Sequence, residues 1–420
     1  MKVAFFGYAW NRNLQPDAYM AETMASLAAA GADVDFYLGS QLTKEYGIYG
    51  LNPAVHLDRL IQFVRVEAYD AAVSFNSSML IPEILDVING RIVDVIVDEP
   101  EHLFDYHGAG PYEVLRRDIE IVAMSSALER RLTQAIENVR PRLHFMLPAT
   151  RIEPGDQAAT YPISWVASYV GDLNLDQYVG LMVERPDFYA LTRRCLEIAQ
   201  RDGHLASVKA EGGADAALIA TLPWTFDFFQ AQMLNILTNR LRVATVERLA
   251  PHGLALFGNV GWQKLLTHNA AVLAALQPGP APASHADLRR VYNASKISIN
   301  VPQAHTAEGA VQYRMIDVMA SNALLITRRS ADSDLHRAFG PDCPVPTYST
   351  QDELEALCLR YLADEGARRK LVAACNALVA TGFSFAERAA ELLRIAGLGP
   401  GTKAGQVRKM DLRLFTGAQT

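Results

Sequence analysis

This sequence predicts an α/β protein of two Rossmann-like domains facing each other across a cleft, with a helical insertion in the C-terminal half. Three observations carry that expectation. The chain has 420 residues, more than one hydrophobic core usually supports, which favours two domains. Short apolar runs alternate with helical stretches through its first third, the pattern of a doubly wound parallel sheet. After a polar junction the same alternation begins again.

The first strand is read at Val3–Ala9, followed by a helix over about Asp17–Ala30. Further strands are read at Ala32–Leu38, Tyr69–Asn76, Arg91–Glu99, Ile119–Ser125 and Arg142–Ala149. They are rich in Val, Ile, Phe and Ala with little polar alternation, as in strands covered by helices on both faces. Ligands bind at the C-terminal ends of such strands, here Gly7–Asn13, Asn76–Ser78 and Asp98–Asp105. Residues 151–162, with Pro154, Gly155 and Pro162, form the junction.

The second domain opens with a strand in Ile163–Leu173 that ends at Gly171. A long helical stretch over about 176–250 has apolar residues at three- and four-residue intervals. Strands return at Gly253–Asn259, Lys296–Val301 and Ala323–Arg328. The helix Gln312–Asn322 turns Met315, Ile316, Val318 and Met319 toward that sheet, and Ser321-Asn322 reads as its left-handed cap. Residues 277–285 read as a Pro/Ala-rich surface loop. Helices over Thr350–Ala380 and Phe383–Leu398 close the fold. The domains are thus 1–155 and 160–383, with 384–397 a closing helix that crosses back to the N-terminal domain. Residues 398–420 are a basic tail expected to fray.

The net charge of −7 is opposite to the footprint of a nucleic-acid binder, so no such partner is expected. An anionic ligand then needs a few placed Arg, Lys or backbone N–H groups. No apolar run reaches the roughly 18–20 residues of a membrane span, and the first strand lacks a signal-peptide cleavage site. A cytoplasmic protein without an integral membrane segment is expected. Cys195, Cys343, Cys358 and Cys375 are too scattered for a zinc site or a disulfide framework. The loop Gly7–Asn13, with Arg12 and Asn13 directed to an acceptor, is not a Gly-x-Gly-x-x-Gly fingerprint. No Walker lysine motif and no Gly-x-Ser-x-Gly elbow occurs, which argues against a dinucleotide cofactor, an NTPase and an α/β-hydrolase.

Several strings together resemble the CgeB-like, spore-maturation type of glycosyltransferase. They are Tyr292–Gln303, Tyr313–Gly340, Asp352–Leu371 and Phe383–Leu393, the last carrying an aromatic-to-arginine segment at Phe385–Arg388. Upstream, Ala255–Trp262, His144–Thr150 with Ile163–Leu173, and Val95–Pro100 follow the same order. Where that family has Glu-Ala and then Cys-Gly in the donor helix, this chain has Asp317-Val318 and Ser321-Asn322. The resemblance implies a GT-B fold and metal-independent transfer without a cofactor. It also implies a nucleotide-sugar donor held by the C-terminal domain, and a protein, glycan or small-molecule acceptor held by the N-terminal one.

A nucleotide sugar needs a carboxylate for the ribose hydroxyls, and backbone N–H groups with a guanidinium for the diphosphate. Glu308 and Gly309, leading into a helix with Arg314 and Asp317, supply these types. Arg314 is assigned to the diphosphate and Asp317 to the ribose; the plain alternative is a surface ion pair at i, i+3. Gly258 is placed under the nucleotide and Trp262 near the base, against a turn with a core tryptophan. Gly171 offers close backbone approach. In the N-terminal domain Asp98, Glu99, Glu101, His102, Asp105 and His107 crowd one loop. Asp98 and His102 are the candidates for a general base, which inverting transfer requires, against simple helix-capping charge. No metal ligand is assigned. A nucleotide-sugar epimerase or hydrolase, or an inactive sugar-nucleotide-binding protein, fits the same fold, because function resides in the site.

Overall fold

The computed structural model describes residues 1–9, 14–43, 50–98, 103–108, 110, 112–170, 175–202, 218, 221, 226–303, 309–330 and 333–416. Two sheets, parallel throughout, organise it. The N-terminal sheet contains β1 (Lys2–Gly7), β2 (Asp33–Leu38), β3 (Ala71–Phe75), β4 (Arg91–Ile96), β5 (Glu120–Ala123) and β6 (Leu143–Phe145). The C-terminal sheet contains β7 (Tyr161–Ala167), β8 (Leu254–Gly258), β9 (Ser295–Asn300), β10 (Leu324–Arg328) and β11 (Thr347–Tyr348). The fold class read from the sequence is the one observed.

Helices cover both faces of each sheet, and their ends are set locally. In the N-terminal lobe they are α1 (Ala18–Ala29), α2 (Leu57–Glu67), α3 (Pro82–Leu85) and α4 (Ser126–Ala135). Asp17 caps α1 by accepting from Met20 N at 2.8 Å, and Ser125 caps α4 through Leu128 N at 3.1 Å. Such caps satisfy backbone donors that have no partner within the helix. Strands β1 and β3 bury almost every side chain, as strands between two helical layers must. No helix among the described residues is long and apolar enough to cross a membrane.

The insertion is not one helix. It contains α5 (Leu175–Glu184), α6 (Pro186–Asp202) and α7 (Phe226–Leu249), broken at Pro186, whose preceding residue is pushed out of the helical region. Then come α8 (Val260–Gln263), α9 (Ala270–Ala275), α10 (His285–Asn293), α11 (Tyr313–Met319) and α12 (Asp334–Phe339), followed by α13 (Gln351–Ala363), α14 (Glu365–Val379) and α15 (Phe385–Ile395). His285, read with a surface loop, is instead buried at the start of α10, where Ser284 provides the cap. Ser321-Asn322 is no left-handed cap: α11 ends at Ala320 with φ −87, and neither residue has positive φ. Asn322 instead ties down the junction, its Nδ2 donating to the Gly155 carbonyl at 2.5 Å, while Asn293 holds the Glu153 carbonyl at 2.9 Å.

The chain then returns to the N-terminal lobe. A capping box at Ser384 and Glu387 starts α15; its Ala389, Leu392, Leu393 and Ile395 join the same core as Met24 and Leu27 of α1. Arg388 Nε donates to the Leu147 carbonyl at 2.7 Å. The tail does not fray as expected. Residues Val407–Met410 form β12, a parallel edge strand on β2, because Arg408 finds a partner there. Its Nε and Nη2 grip Asp35 at 2.8 and 2.6 Å, and Tyr69 donates to the same carboxylate at 2.7 Å. Burial alone would raise the Asp35 carboxyl, but the bonds from Arg408 and Tyr69 hold it below the usual range.

Replacing Arg408 with Ala leaves the buried Asp35 carboxylate with its Tyr69 bond and the charge of Lys2 but no cation bonded to it. A loss of about 1–2 kcal/mol is expected, discounted because Arg408 is half exposed. Urea unfolding at neutral pH measures it; an unchanged midpoint would make β12 a passive addition.

Candidate functional site

The order of the C-terminal sheet is β11-β10-β9-β7-β8, so the winding reverses between β7 and β9. At such a reversal the two connections leave in opposite directions and open a crevice beyond the carboxyl ends. Three side chains fix the backbone that leaves β7. Asn259 accepts from Tyr169 N at 2.7 Å and donates to its carbonyl at 3.0 Å. Asn239, on α7, accepts from Val170 N at 2.9 Å and donates to its carbonyl at 2.6 Å. Arg242, one turn further along α7, donates through Nη1 to the Ser168 carbonyl. The side-chain amides imitate strand pairing where the sheet has ended, so the loop keeps a set shape without a β-neighbour.

Gly258 and Trp262 belong to this support. A Cβ on Gly258 would lie 2.2 Å from Trp262 Cδ1, so glycine is what lets the indole fold under the strand end. Trp262 is fully buried, donates from Nε1 to the Ala167 carbonyl at 2.9 Å, and packs edge-on against Trp165 and Tyr169. The ring that was placed near a base is therefore core, and its one donor is used.

Arg314 reaches the end of β9. Its Nη1 donates to Asn300 Oδ1 at 3.3 Å, and Asn300 in turn donates to Thr327 Oγ1 at 3.1 Å. Arg314 is half-buried and makes no ion pair among the described residues. Gly309 lies four residues before α11, at a φ of +75 that only glycine adopts freely; its carbonyl accepts from Asp334 N at 2.8 Å. Glu308 and Gly171 lie outside the described residues.

Asp317 is neither exposed nor paired with Arg314. It is fully buried, with Tyr19 of α1 donating to Oδ2 at 2.6 Å and Thr150 of the junction donating to Oδ1 at 2.5 Å. The carboxylate assigned to a ribose thus bonds one residue of the opposite lobe and one of the junction. Tyr19 also stacks on Tyr313, centroids 4.0 Å apart. Burial, only partly opposed by the two hydroxyls and Arg314, pushes the Asp317 carboxyl up to about 7. His285 stands 4.0 Å from Asp317 and from Glu22, close enough to suggest ion pairs. Its ring nitrogens, however, make no hydrogen bond. Burial, with Arg151 adding, lowers the ring to about 4; we take it as neutral at pH 7, because desolvation outweighs contacts that long.

In the N-terminal lobe, Asp98 stands half-buried just past β4. Asn76 Nδ2 donates to Asp98 Oδ2 at 2.8 Å and to the Tyr8 hydroxyl at 3.2 Å, and Asn76 Oδ1 accepts from Val97 N at 2.9 Å. Asn76, Ser77 and Met79 all have left-handed φ, between 52 and 62. Non-glycine residues persist there only when their surroundings fix them. Asp94 does the fixing, accepting from Ser77 N at 3.0 Å and Ser77 Oγ at 2.7 Å; burial raises its carboxyl to about 6. Asp105 closes its own loop by accepting from Gly110 N at 2.9 Å, and His107 faces Glu83 on the surface at 3.4 Å. His102, Glu99 and Glu101 lie outside the described residues, as do Arg12 and Asn13.

Of the expected residues, Arg314 stands at the C-terminal crevice and Asp98 at the N-terminal strand ends. Sequence reasoning missed Asn239, Arg242, Asn259 and Asn300 on one side, and Tyr19 and Thr150 on the other, while Asn76 falls in the strand end Asn76–Ser78 it had singled out. Asn259, Asn300 and Asn76 each sit at a strand end, a signal that was readable. Arg242 lies mid-helix, where nothing local marks it.

Residues 239–394 match the family model described as glycosyl transferase-like. Among solved structures the chain is similar to sucrose-phosphate synthase from Thermosynechococcus elongatus, at 14% identity and TM-score 0.53, covering 94% of this chain and 98% of that one. It is similar to a glycosyltransferase from Rickettsia africae ESF-5, at 10% identity and TM-score 0.52, covering 94% and 97%. A mutant of T4 phage BGT in complex with UDP-glucose gives 10% identity and TM-score 0.50, covering 95% and 100%. No curated protein sequence matches the chain. The structures show the fold, which is GT-B, and the family match extends over residues 239–394.

The seam carries a pH dependence. Asp317 binds its proton more tightly folded than unfolded, so its contribution to stability is complete at acid pH and is lost as pH rises through about 7. Asp317→Asn removes that titration. Between about pH 4 and 7 the unfolding midpoint of the wild type should fall relative to that of the variant; parallel curves would show Asp317 ionised throughout.

Proposed function

We propose that the protein transfers a sugar from a nucleoside-diphosphate sugar, bound at the β7/β9 crevice, to an acceptor hydroxyl presented by the N-terminal lobe. The single observation that carries this is Arg314: a guanidinium without an acid partner among the described residues, aimed at the strand ends where the winding reverses. A planar fork of donors suits a diphosphate, which brings the negative charge that an acidic chain must bind locally. The resemblance to CgeB-like enzymes supports the same assignment and implies transfer without a metal ion.

Asp98 is the group placed to take the acceptor's proton in an inverting displacement. As the acceptor oxygen attacks the anomeric carbon and the bond to the diphosphate breaks, a carboxylate beside that oxygen removes its proton. Asn76 holds one Asp98 oxygen, which fixes the carboxylate at the strand ends. Developing charge on the leaving diphosphate falls to Arg314, a contribution that grows along the reaction and so lowers the barrier. The ribose contact first assigned to Asp317 is withdrawn, since that carboxyl group is enclosed at the seam.

UDP-glucose, held by the T4 phage BGT mutant, is the first donor to test. Turnover of donor with no acceptor present would indicate a hydrolase or epimerase instead. Arg314→Lys should weaken uridine diphosphate binding several-fold and Arg314→Ala by about ten- to a hundredfold, the worth of a charge-assisted bond. Calorimetry giving wild-type affinity for both variants would remove Arg314 from the site.

Asp98→Asn should lower kcat by about 10²–10⁴ with donor affinity unchanged. Chelating agents should leave the transfer rate within about tenfold, or 1.4 kcal/mol of barrier. A larger loss would overturn metal independence.

A further inference from the structure

Arg242 is among the largest fully buried side chains of the protein, and its chemistry is incomplete. Nη1 donates to the Ser168 carbonyl, but Nε and Nη2 have no hydrogen-bond partner among the described residues. A guanidinium offers five donors and no acceptor, and it keeps its proton inside proteins. Burial therefore encloses a charge. The charged neighbour that acts on it is Arg314, a second cation, which adds to burial in lowering it to about 9. Two like charges, neither in an ion pair among the described residues, make a poor structural device, because each raises the cost of burying the other.

The location gives the arrangement a purpose. Arg242 touches the end of β7 and Arg314 the end of β9, so the two guanidiniums bracket the point where the winding reverses. Asn239, Arg242 and Thr245 recur at three-residue intervals along α7 and are all buried, giving this helix a polar stripe inside the lobe. Asn239 spends its amide on Val170 and Thr245 its hydroxyl on Leu241 and Gln351. Only Arg242 in that set keeps donors in reserve.

We infer that Arg242 is an anion-binding residue, through which the last helix of the insertion joins Arg314 in gripping the diphosphate of the donor. The inference rests on the donor reading above and extends it: the insertion becomes part of the binding site. Nε and Nη2 lie on one edge of the guanidinium plane, the pair that grips two oxygens of a phosphate bidentately. A role limited to bracing Ser168 would use one donor of five and leave the charge without a purpose.

The test uses the full chain as wild type, Arg242→Met and Arg242→Lys. Calorimetric titration with uridine diphosphate and, separately, inorganic pyrophosphate is combined with thermal unfolding in the absence of either. For Arg242→Met we expect both affinities to fall by about ten- to a hundredfold, as for loss of a charge-assisted contact, with the melting temperature equal to or above the wild type. Arg242→Lys keeps the charge and loses the fork, so an intermediate loss is expected. Wild-type affinities in Arg242→Met together with a lower melting temperature would overturn the inference and leave Arg242 a brace. Should the Met variant fail to fold, wild-type affinities in Arg242→Lys would overturn it equally. Wild-type protein that binds pyrophosphate but not uridine diphosphate, with the Arg242 loss intact, would sustain the inference and sink the donor reading. Binding of neither probe would sink both.

Discussion

A carboxyl group shared by three parts of the chain sets the geometry on which the candidate site depends. Asp317 comes from the C-terminal lobe, Thr150 from the junction and Tyr19 from the first helix of the N-terminal lobe, and all three meet in hydrogen bonds of 2.5 and 2.6 Å. A buried carboxyl is costly unless its oxygens are bonded, and most costly when ionised. Two hydroxyl donors and a raised affinity for its proton are the physical answer here. Because Asp317 lies one turn beyond Arg314 on α11, the same short helix anchors the seam and carries a guanidinium into the crevice. The position of that cation relative to the N-terminal lobe thus depends on a contact that binds no ligand.

A second polar contact joins the lobes elsewhere. Asp334 of α12 accepts from Ser126 N at 3.0 Å, at the start of α4, where unsatisfied N–H groups favour a negative charge. Arg337, on the same helix, donates to Glu129 at 2.6 Å and lies over the Phe145 ring at 3.7 Å. Hydrophobic continuity between the lobes runs mainly through α15, which lies in the N-terminal core beside α1, with Tyr313 and Ala310 also packed against the N-terminal cores. The lobes therefore keep separate apolar cores and meet through hydrogen bonds, ion pairs and one crossing helix. Catalysis between two lobes needs this division, since strand ends buried in a common core would leave no cleft.

Sequence periodicity revealed the strands because parallel sheets demand largely apolar runs, such as Val3–Phe6, with Ala71–Phe75 and Ile297–Ile299 each interrupted by one serine. The crossing of α15 was expected from motif order, not from periodicity; its capping box at Ser384 and Glu387 stands at the helix start. Periodicity missed β12, because an exposed edge strand such as Val407–Met410 carries no apolar pattern and is fixed by one long-range pair, Arg408 with Asp35. The site was less legible for a related reason. Arg314 was found because an arginine in a donor-side helix is a chemical type with an expected task. Asp317 has an equally suggestive type, but its partners Tyr19 and Thr150 lie 298 and 167 residues away, a distance no local pattern spans. Trp262 and Gly258 look like ligand residues because strand ends need glycine both for ligands and for packing. Only the 2.2 Å approach of the indole to a Cβ on Gly258 decides between the two.

Charge placement separates the crevice from the rest of the molecule. The chain is acidic overall, and many of its arginines are engaged with carboxylates, as Arg408 is with Asp35 and Arg337 with Glu129. Such pairs cancel locally and contribute little beyond their own geometry. Arg242 and Arg314 bond instead to neutral oxygens, a carbonyl and an amide, as Arg142 and Arg368 do to carbonyls. Hydrogen bonds to neutral groups orient a guanidinium without neutralising it, so the positive charge stays available in a region from which water is largely excluded. Enclosure makes that arrangement expensive for stability, by up to several kcal/mol per ion, and it strengthens attraction for an anion by the same physics. A fold under selection for stability alone would have answered either arginine with an acid.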